Sequence, residues 1–322
     1  MPRFALALFC ALLALLVAQP AWAQQYPDRT IRLICPYAPG GGTDLVARLL
    51  GQQLSARLGQ TVVIENRPGA GGVVGTQSVV TAKPDGYTIL FASTSPMVVM
   101  PHMMKQISFD PLKDLAPITL IAQVPALMVV NPSLPANNVK EFLDLAKARP
   151  KQLTFSSSGL GGTAQLAGEM MRLMGGADML HIPYKGTGPA NIAVLAGEVS
   201  MTFTDITAGL QFVKEGKMKA LAVTTLRRSS VVPDLPAISE TLPGFSAYVW
   251  YGLLAPAKTP PAIINKLNAT LIQILNDPAF KQRMAEMGAD TIGNSPAEFS
   301  SFMTTESARW KKIVQDTHMT VE

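Results

Sequence analysis

The sequence has few of the residues from which catalytic and metal centres are built. Its 322 residues include two cysteines and three histidines, and only 15% of them are charged. His102, His181 and His318 lack the spacing of metal ligands, and no Gly-x-Ser-x-Gly nucleophile motif occurs. We therefore expect no enzyme activity, no bound metal and no cofactor.

Charge is sparse and nearly balanced. The chain has 27 Lys and Arg residues against 22 Asp and Glu residues, and it has no basic run. Nucleic-acid binding is therefore not expected, because it needs a concentrated positive surface. The small positive excess favours anionic ligands only weakly.

No apolar stretch after the first residues reaches membrane-spanning length, and the first residues have the pattern of an export signal. Arg3 precedes an apolar run, Phe4 to Val17, and the small-x-small site Ala21-Trp22-Ala23 follows. The run is short for a membrane span. We expect residues 1–23 to be a signal peptide that is cleaved after Ala23, with export to the periplasm.

Cysteine usage predicts a protein without disulfides. Cys10 lies inside the signal and follows Phe9, whereas a lipoprotein site needs a small residue before its cysteine. Cleavage leaves Cys35 alone, so no internal disulfide can form. We expect Cys35 to be a small buried side chain in a strand.

Strand-like and helix-like segments alternate along the rest of the chain, which is typical of α/β layers. We predict strands at 31–35, 61–65, 88–92, 153–156, 179–184, 199–203 and 221–224. We predict helices at 43–58, 73–82, 139–148, 163–174 and 188–196, and a mostly helical tail at 260–314. Two apolar β-prone stretches, 117–130 and 248–255, are suited to crossing between domains. They divide the chain into a discontinuous domain 1 (24–122 and 247–322) and an inserted domain 2 (123–246).

Two glycine-rich loops each end a strand and open a helix. The first is Gly40-Gly41-Gly42-Thr43-Asp44, and the second is Ser156-Ser157-Ser158-Gly159-Leu160-Gly161-Gly162-Thr163. Free N–H groups at a helix start favour an anion, so two such loops predict a clamp that closes on a small anion. The alternative is a plain helix entry in which glycine serves turn geometry. We expect Thr43 or Asp44 to cap the first helix, and a Cβ at Gly41 or Gly161 to block close backbone approach.

Other candidates lie where strands end, the place at which open α/β sheets bind ligands. Ser93 and Thr94 follow one strand, and Asp205 ends another. Lys185 is either an anion ligand or an exposed loop lysine, and Tyr184 is either a pocket wall or core. Asp44 and Asp205 are also the candidates for a carboxylate pair, although a helix cap and a strand-end acceptor explain them equally.

One further glycine-rich segment, Asn66-Arg67-Pro68-Gly69-Ala70-Gly71-Gly72, has features of a dinucleotide-binding loop. Its glycines do not follow the Gly-x-Gly-x-x-Gly spacing, because Gly75 falls one position late. Export of the protein also disfavours a nicotinamide cofactor. We do not expect a dinucleotide site here.

Several ordered segments resemble the Bug-type extracytoplasmic solute receptors of tripartite tricarboxylate transporters. These segments are 31–44, Val63 to Gly72, His181 to Ala190, Val232 to Pro236 and Trp250 to Pro260. The resemblance implies a two-domain α/β periplasmic binding protein, a Venus flytrap of type II-like topology with two interdomain crossings. It also implies capture of a carboxylate in the cleft through backbone groups and ordered waters.

The resemblance implies a set of ligand-binding residues. Carried to this sequence, with the two tyrosines of the loops added, the set is Tyr37, Gly40, Gly41, Thr43, Asp44, Ser93, Thr94, Ser157, Ser158, Gly161, Thr163, Tyr184, Lys185 and Asp205. The family frequently has a histidine near the second helix start, where this chain has Gln165.

The expected partners follow from this class of receptor. We expect a monomer that captures a mono-, di- or tricarboxylate and delivers it to integral-membrane permease subunits. The alternative is a ligand-gated sensor subunit that presents its closed form to a signalling kinase. An enzyme is the third hypothesis, and formation of a product from a panel of carboxylates would support it.

Overall fold

The structure of the protein is a computed structural model that describes residues 26–159, 162–184, 186–317 and 320. The predicted signal peptide, its cleavage site, Gly161 and Lys185 lie outside the described residues. Within the described ranges, no helix combines the length and apolar character needed to cross a membrane.

The described strands form two sheets. They are β1 (Ile31–Cys35), β2 (Val62–Asn66), β3 (Thr88–Ser93), β4 (Leu115–Val124), β5 (Ala126–Val130), β6 (Thr154–Ser157), β7 (Leu180–Pro183), β8 (Met201–Asp205), β9 (Lys219–Val223), β10 (Val249–Pro256) and β11 (Asp290–Thr291). The first sheet has the order β11-β4-β10-β3-β1-β2, and the second has the order β7-β6-β8-β5-β9.

Each sheet combines a parallel part with an antiparallel crossing strand. β1 pairs in parallel with β2 and β3, whereas β10 runs antiparallel between β3 and β4. In the second sheet β6 pairs in parallel with β7 and β8, and β5 runs antiparallel between β8 and β9. Strands at the centre of such sheets are covered on both faces, and all five residues of β5 are buried.

The helices cover the faces of these sheets. They are α1 (Gly42–Leu58), α2 (Val73–Val80), α3 (Met100–Met103), α4 (Pro111–Asp114), α5 (Val139–Ala148), α6 (Thr163–Gly175), α7 (Thr187–Leu195), α8 (Ile206–Lys214), α9 (Pro261–Asn276), α10 (Pro278–Glu286) and α11 (Pro296–Thr317). A five-residue π-helix, Ser95–Val99, follows β3, and 3₁₀ turns occupy Ala70–Gly72 and Ile238–Glu240.

The chain passes between the sheets twice, as the apolar stretches predicted. β4 leads into β5 through Pro125, and the segment after β9 returns to β10. Thr224 joins the two passages, because its hydroxyl accepts the N–H of Ala126 at 2.9 Å and its carbonyl accepts the N–H of Ala247 at 2.9 Å. The α/β fold class and the two-crossing flytrap topology are confirmed, while the exact domain bounds stay a prediction.

The structure contains elements that the sequence analysis missed. α8 is one of them, and its glycine explains why. Gly209 lowers the helix propensity of this segment, so the sequence pattern does not indicate a helix. In the structure the glycine is needed for packing, because a Cβ at Gly209 would lie 2.4 Å from the Thr204 side chain. Ile206, at the start of α8, is buried in a core cluster of the second sheet. Cys35 is buried and free, as expected.

Candidate ligand-binding cleft

The carboxyl ends of the parallel strands meet in one cleft between the two sheets. In the first sheet β1 lies between β2 and β3, and in the second β6 lies between β7 and β8. Loops from neighbouring strands diverge at such a position and leave a crevice. The cleft that results has a cavity volume of about 560 Å³, a size suited to a small organic ligand.

Residues from the segments around both sheets line this cleft. The segments around the first sheet contribute Tyr37, Gly42, Thr43, Leu45, Val46, Gly71, Ser93, Thr94, Ser95, Val124, Val249, Tyr251, Glu286 and Met287. The segments around the second sheet contribute Ala126, Ser158, Gly162, Thr163, Ala164, Thr187, Phe203 and Asp205.

The buried side chain of Asp44 holds the first glycine loop in place through hydrogen bonds. Its side chain is only 2% exposed, and it accepts the N–H of Gly40 at 2.9 Å, the Nε–H of Arg48 at 2.9 Å and the Nδ2–H of Asn66 at 2.8 Å. Burial raises the pKa of this carboxyl, but the Arg48, Gly40 and Asn66 hydrogen bonds outweigh it and hold the pKa below its ordinary value. Asp44 therefore stays ionised and fixes the loop.

The expected capping arrangement of α1 is corrected by the structure. The residue at the N-cap is Gly41, which has no capping side chain, and Asp44 reaches back to Gly40 instead. Gly41 has a φ of −80°, which any residue adopts, and a Cβ there would meet nothing closer than the Ala38 carbonyl oxygen at 3.9 Å. Gly40, with a φ of +85°, is the position at which the turn needs glycine.

Two tyrosines connect the first loop to distant strands. The Tyr251 hydroxyl lies 3.2 Å from Thr43 Oγ1, and the Tyr37 hydroxyl lies 2.6 Å from Ser93 Oγ. Burial raises the pKa of Tyr37 to about 12 and also raises that of Tyr251, so both hydroxyls keep their protons at neutral pH. Thr94 binds the strand by which the chain returns to the first sheet, because its Oγ1 accepts the N–H of Trp250 in β10 at 2.8 Å.

The second loop is held by fewer side chains among the residues described there. Ser157 is buried, and its Oγ lies 2.7 Å from His181 Nε2 and accepts the N–H of Gly159 at 3.2 Å. The His181 ring stacks on Phe155 with centroids 4.8 Å apart, and burial lowers the pKa of His181. A neutral imidazole thus supports this loop, which bends at Gly159 with a φ of +133°.

Helix starts converge on the cleft from both sheets. Gly42 and Thr43 open α1, Gly162 is the N-cap of α6, and Thr187 opens α7. The first N–H groups of a helix lack partners within the helix and carry partial positive charge. The cleft therefore presents backbone donors from both of its walls, which suits an anionic group.

The charged residues among the described lining are both acidic. Asp205 ends β8 and Glu286 ends α10. Asp205 is accessible from the cleft, yet the surrounding walls displace bulk water, and this burial raises the pKa of its carboxyl. No group of three or more His, Cys, Asp or Glu side chains suited to a metal ion occurs within the described part of the chain.

The structure brings together some of the predicted site residues and places others behind them. Those that line the cleft are Tyr37, Thr43, Ser93, Thr94, Ser158, Thr163 and Asp205. Gly40, Gly41, Asp44 and Ser157 belong to the same loops but support them rather than line the cavity. Tyr184 packs against the core of the second sheet, and Gln165 is buried in the first turn of α6. Direct contact of any of these residues with a ligand stays a prediction.

Several lining residues were missed because no local motif marks them. Tyr251, Phe203 and Glu286 lie in or beside elements that the sequence predicted, but only the tertiary fold shows which side chains point into the cleft. Gly71 had been considered only as part of a dinucleotide-like loop. Its φ of +63° and its position against Ser95 and Met100 show that it shapes one wall of the cleft.

This fold and this cleft define a class of protein, the two-lobed α/β binding proteins that enclose a small solute. Sequence comparison identifies the family within the class. The family profile described as tripartite tricarboxylate transporter family receptor matches residues 46–319. The chain belongs to this family, whose members are solute-binding receptors rather than enzymes.

Three similar proteins illustrate the family. BugT of Bordetella pertussis is 37% identical over 303 residues, which are 94% of this chain and 93% of BugT. The periplasmic binding protein BugD is 34% identical with a TM-score of 0.77, and the match covers 92% of this chain and all of BugD. Rpa4515 of R. palustris, solved with adipate, is 32% identical with a TM-score of 0.80 over 92% of this chain and 99% of that one. The chain is thus a periplasmic solute-binding protein of the Bug type.

Proposed function

We propose that this receptor captures a small carboxylate in the cleft and delivers it to the membrane permease of a tripartite tricarboxylate transporter. The observation that carries the proposal is the convergence of the α1, α6 and α7 starts on one cavity. The adipate held by Rpa4515 supports it, because that ligand belongs to the same chemical class.

Capture is proposed to close the two halves around the ligand. A ligand drives closure only through contacts that improve in the closed form. The α1 start belongs to the first sheet and the α6 start to the second, so one carboxylate contacts both only when the walls approach. Small-angle scattering with and without saturating ligand should show a more compact bound form. An unchanged profile would contradict this mechanism.

Titration calorimetry tests the ligand class. Mono- and dicarboxylates of two to six carbons are compared with their neutral amides and with sugars. We expect at least one carboxylate to bind and its amide to fail, because the amide lacks the charge that the helix starts stabilise. Tight binding of a sugar with no carboxylate response would overturn the proposal. Delivery to a permease is tested by uptake in cells that lack the receptor and are complemented with this chain.

A further inference from the structure

A basic groove lies on the first sheet, and none of its lining residues belongs to the cleft. α2 packs on this sheet through Val79, which shares a buried cluster with Ile34 of β1 and Leu90 of β3. Arg32 and Thr88 lie two positions earlier on the same strands, pair with each other and face the same side of the sheet. The sheet is more open at this pair, where Arg32 is exposed, and the groove that forms there has a cavity volume of about 380 Å³.

Four cationic side chains line the groove. Arg29 precedes β1, Arg32 lies within it, Arg67 follows β2, and Lys83 lies between α2 and β3. The described lining includes one acid, Asp85. The fold thus concentrates positive charge from separate segments of a sequence that has no basic run.

Two carboxylates partly neutralise the three arginines. The Nη2 atom of Arg29 lies 2.9 Å from Oδ2 of Asp85. Arg32 and Arg67 share the carboxylate of Glu65, because the Nη2 atoms of both donate to its Oε2, at 2.7 Å and 3.2 Å. One carboxylate does not neutralise two guanidinium groups, so this pair of arginines keeps a positive charge.

Lys83 adds a further charge without a counter-charge. It is exposed and makes no ion pair within the described part of the chain. The Arg29 side chain is 62% exposed despite its ion pair. A guanidinium has five N–H donors, and exposed ion pairs contribute little to stability, so these groups remain able to bind a second carboxylate.

The shape and exposure of the groove decide which kind of anion fits it. A pocket for a small solute encloses most of its ligand, whereas the cations of this groove stay open to solvent. A flat bilayer surface contacts projecting side chains rather than the floor of a recess beside a helix. An extended peptide enters such a recess, and its carboxylates match the planar donor fork of arginine.

We propose that the basic groove docks an acidic, solvent-facing segment of the membrane permease. This inference rests on the proposed delivery to a permease and adds the surface that the permease recognises. Docking leaves the cleft accessible, because the groove and the cleft share no lining residue. Arg67 and Gly71 belong to one short segment between β2 and α2, so the docked partner contacts a segment that also shapes a wall of the cleft.

Fluorescence anisotropy at physiological ionic strength tests the docking chemistry. The probe is fluorescein-labelled hexaglutamate, with hexaglutamine as the neutral peptide, and vesicles that contain phosphatidylglycerol test a lipid surface instead. The groove variant Arg29→Gln/Lys83→Glu removes one paired cation and reverses one unpaired cation. We expect wild type to bind hexaglutamate and the groove variant to bind it at least about tenfold more weakly.

The matched control is Lys140→Gln/Lys214→Glu, which makes the same change of charge on α5 and α8. Lys140 is paired with Asp144, and Lys214 is exposed and has no ion pair among the described residues. This control should bind hexaglutamate like wild type. Circular dichroism and carboxylate calorimetry should give wild-type results for both variants, because neither changes a residue that lines the cleft.

Receptor-dependent uptake of the carboxylate that calorimetry identifies links the groove to the permease. The groove variant should lose most of the uptake while it keeps the wild-type ligand affinity, and the control should keep both. The inference is overturned if wild type does not bind hexaglutamate, if the groove variant and the control bind it equally, if only the vesicles bind, or if the groove variant supports wild-type uptake. Carboxylate capture is measured separately by calorimetry, so failure of every carboxylate there defeats the proposed function instead.

Discussion

The two glycine loops that form the cleft walls are built by different means. The loop before α1 is fixed by Asp44, which connects Gly40, Arg48 and Asn66, and by the contact of Thr43 with Tyr251. The loop before α6 depends on the Ser157 and His181 pair and on a bend at Gly159. Among the described residues, the first wall is held by a buried ionised side chain and the second by a neutral hydrogen-bonded pair.

The largest expected effect comes from removing the anchor of the first loop. Asp44→Ala should lower the free energy of unfolding by about 2–3 kcal/mol, because a buried ionised acceptor is lost and its donors are left without it. Urea denaturation measures this value. Asp144→Ala, which breaks an exposed pair with Lys140, should change the free energy of unfolding by less than about 0.5 kcal/mol. Equal effects of the two variants would show that Asp44 is not an anchor.

Acid provides a second measurement on the same side chain. The pKa of Asp44 is lower in the folded protein than its ordinary value of 3.8, so its ionised form stabilises the fold above that value. This contribution is lost as pH falls through the lowered folded pKa. Wild type should therefore have a higher Tm than Asp44→Asn at pH 7, and the difference should shrink below about pH 4. A difference that does not depend on pH would contradict this assignment.

Substitutions at two adjacent glycines of the first loop should differ in their effect on stability, by less than the loss of Asp44. Gly40→Ala should lower the free energy of unfolding by about 1–2 kcal/mol, because a φ of +85° forces an L side chain into the left-handed region. Gly41→Ala should be close to neutral, since its φ is −80° and its Cβ would have only ordinary contacts. Thermal unfolding of the two variants tests the contrast. A greater loss for Gly41→Ala would show that the backbone of this loop is placed differently.

The smallest loss of stability is expected from a substitution in the second wall. Ser157→Ala removes the hydroxyl that contacts His181 and Gly159 and should lower the free energy of unfolding by about 1 kcal/mol. The neighbouring Ser158→Ala, an exposed residue that lines the cleft, should leave stability unchanged and serves as the control. If Ser157→Ala destabilises the protein as much as Asp44→Ala, the two walls are equally fixed and the comparison fails.

Sequence reasoning found the elements of this protein more readily than the side chains of its site. β1, α5 and α6 were predicted almost to the residue, because their apolar periodicity and flanking turns are local signals. β11 has only two residues and pairs with β4, some 170 positions earlier in the chain, so local pattern does not reveal it. A cavity lies at the ends of the parallel strands, where the sequence analysis expected the ligand site, and binding of a ligand there stays a prediction.

The roles within the site depended on tertiary contacts that local sequence does not contain. Asp44 was predicted as a cap or a ligand, and only the structure shows that it is a buried acceptor for Asn66; its contact with a ligand stays a prediction. Tyr251 was assigned only to a crossing strand, because nothing in its neighbourhood indicates that its hydroxyl reaches Thr43. The residue types of Asp44 and Tyr251 limit which contacts they can make, and tertiary packing determines which contacts form.

The position of β10 between β3 and β4 also affects the order in which the chain assembles. The second sheet uses strands from the continuous range 126–223, whereas the first sheet stays in two pieces until β10 has joined it. The contact of Thr43 with Tyr251 spans 208 positions, and contacts of such long range raise the contact order, which correlates with slower folding. The wall that is held by the most local contacts among the described residues thus also depends on a strand more than 200 positions away along the chain.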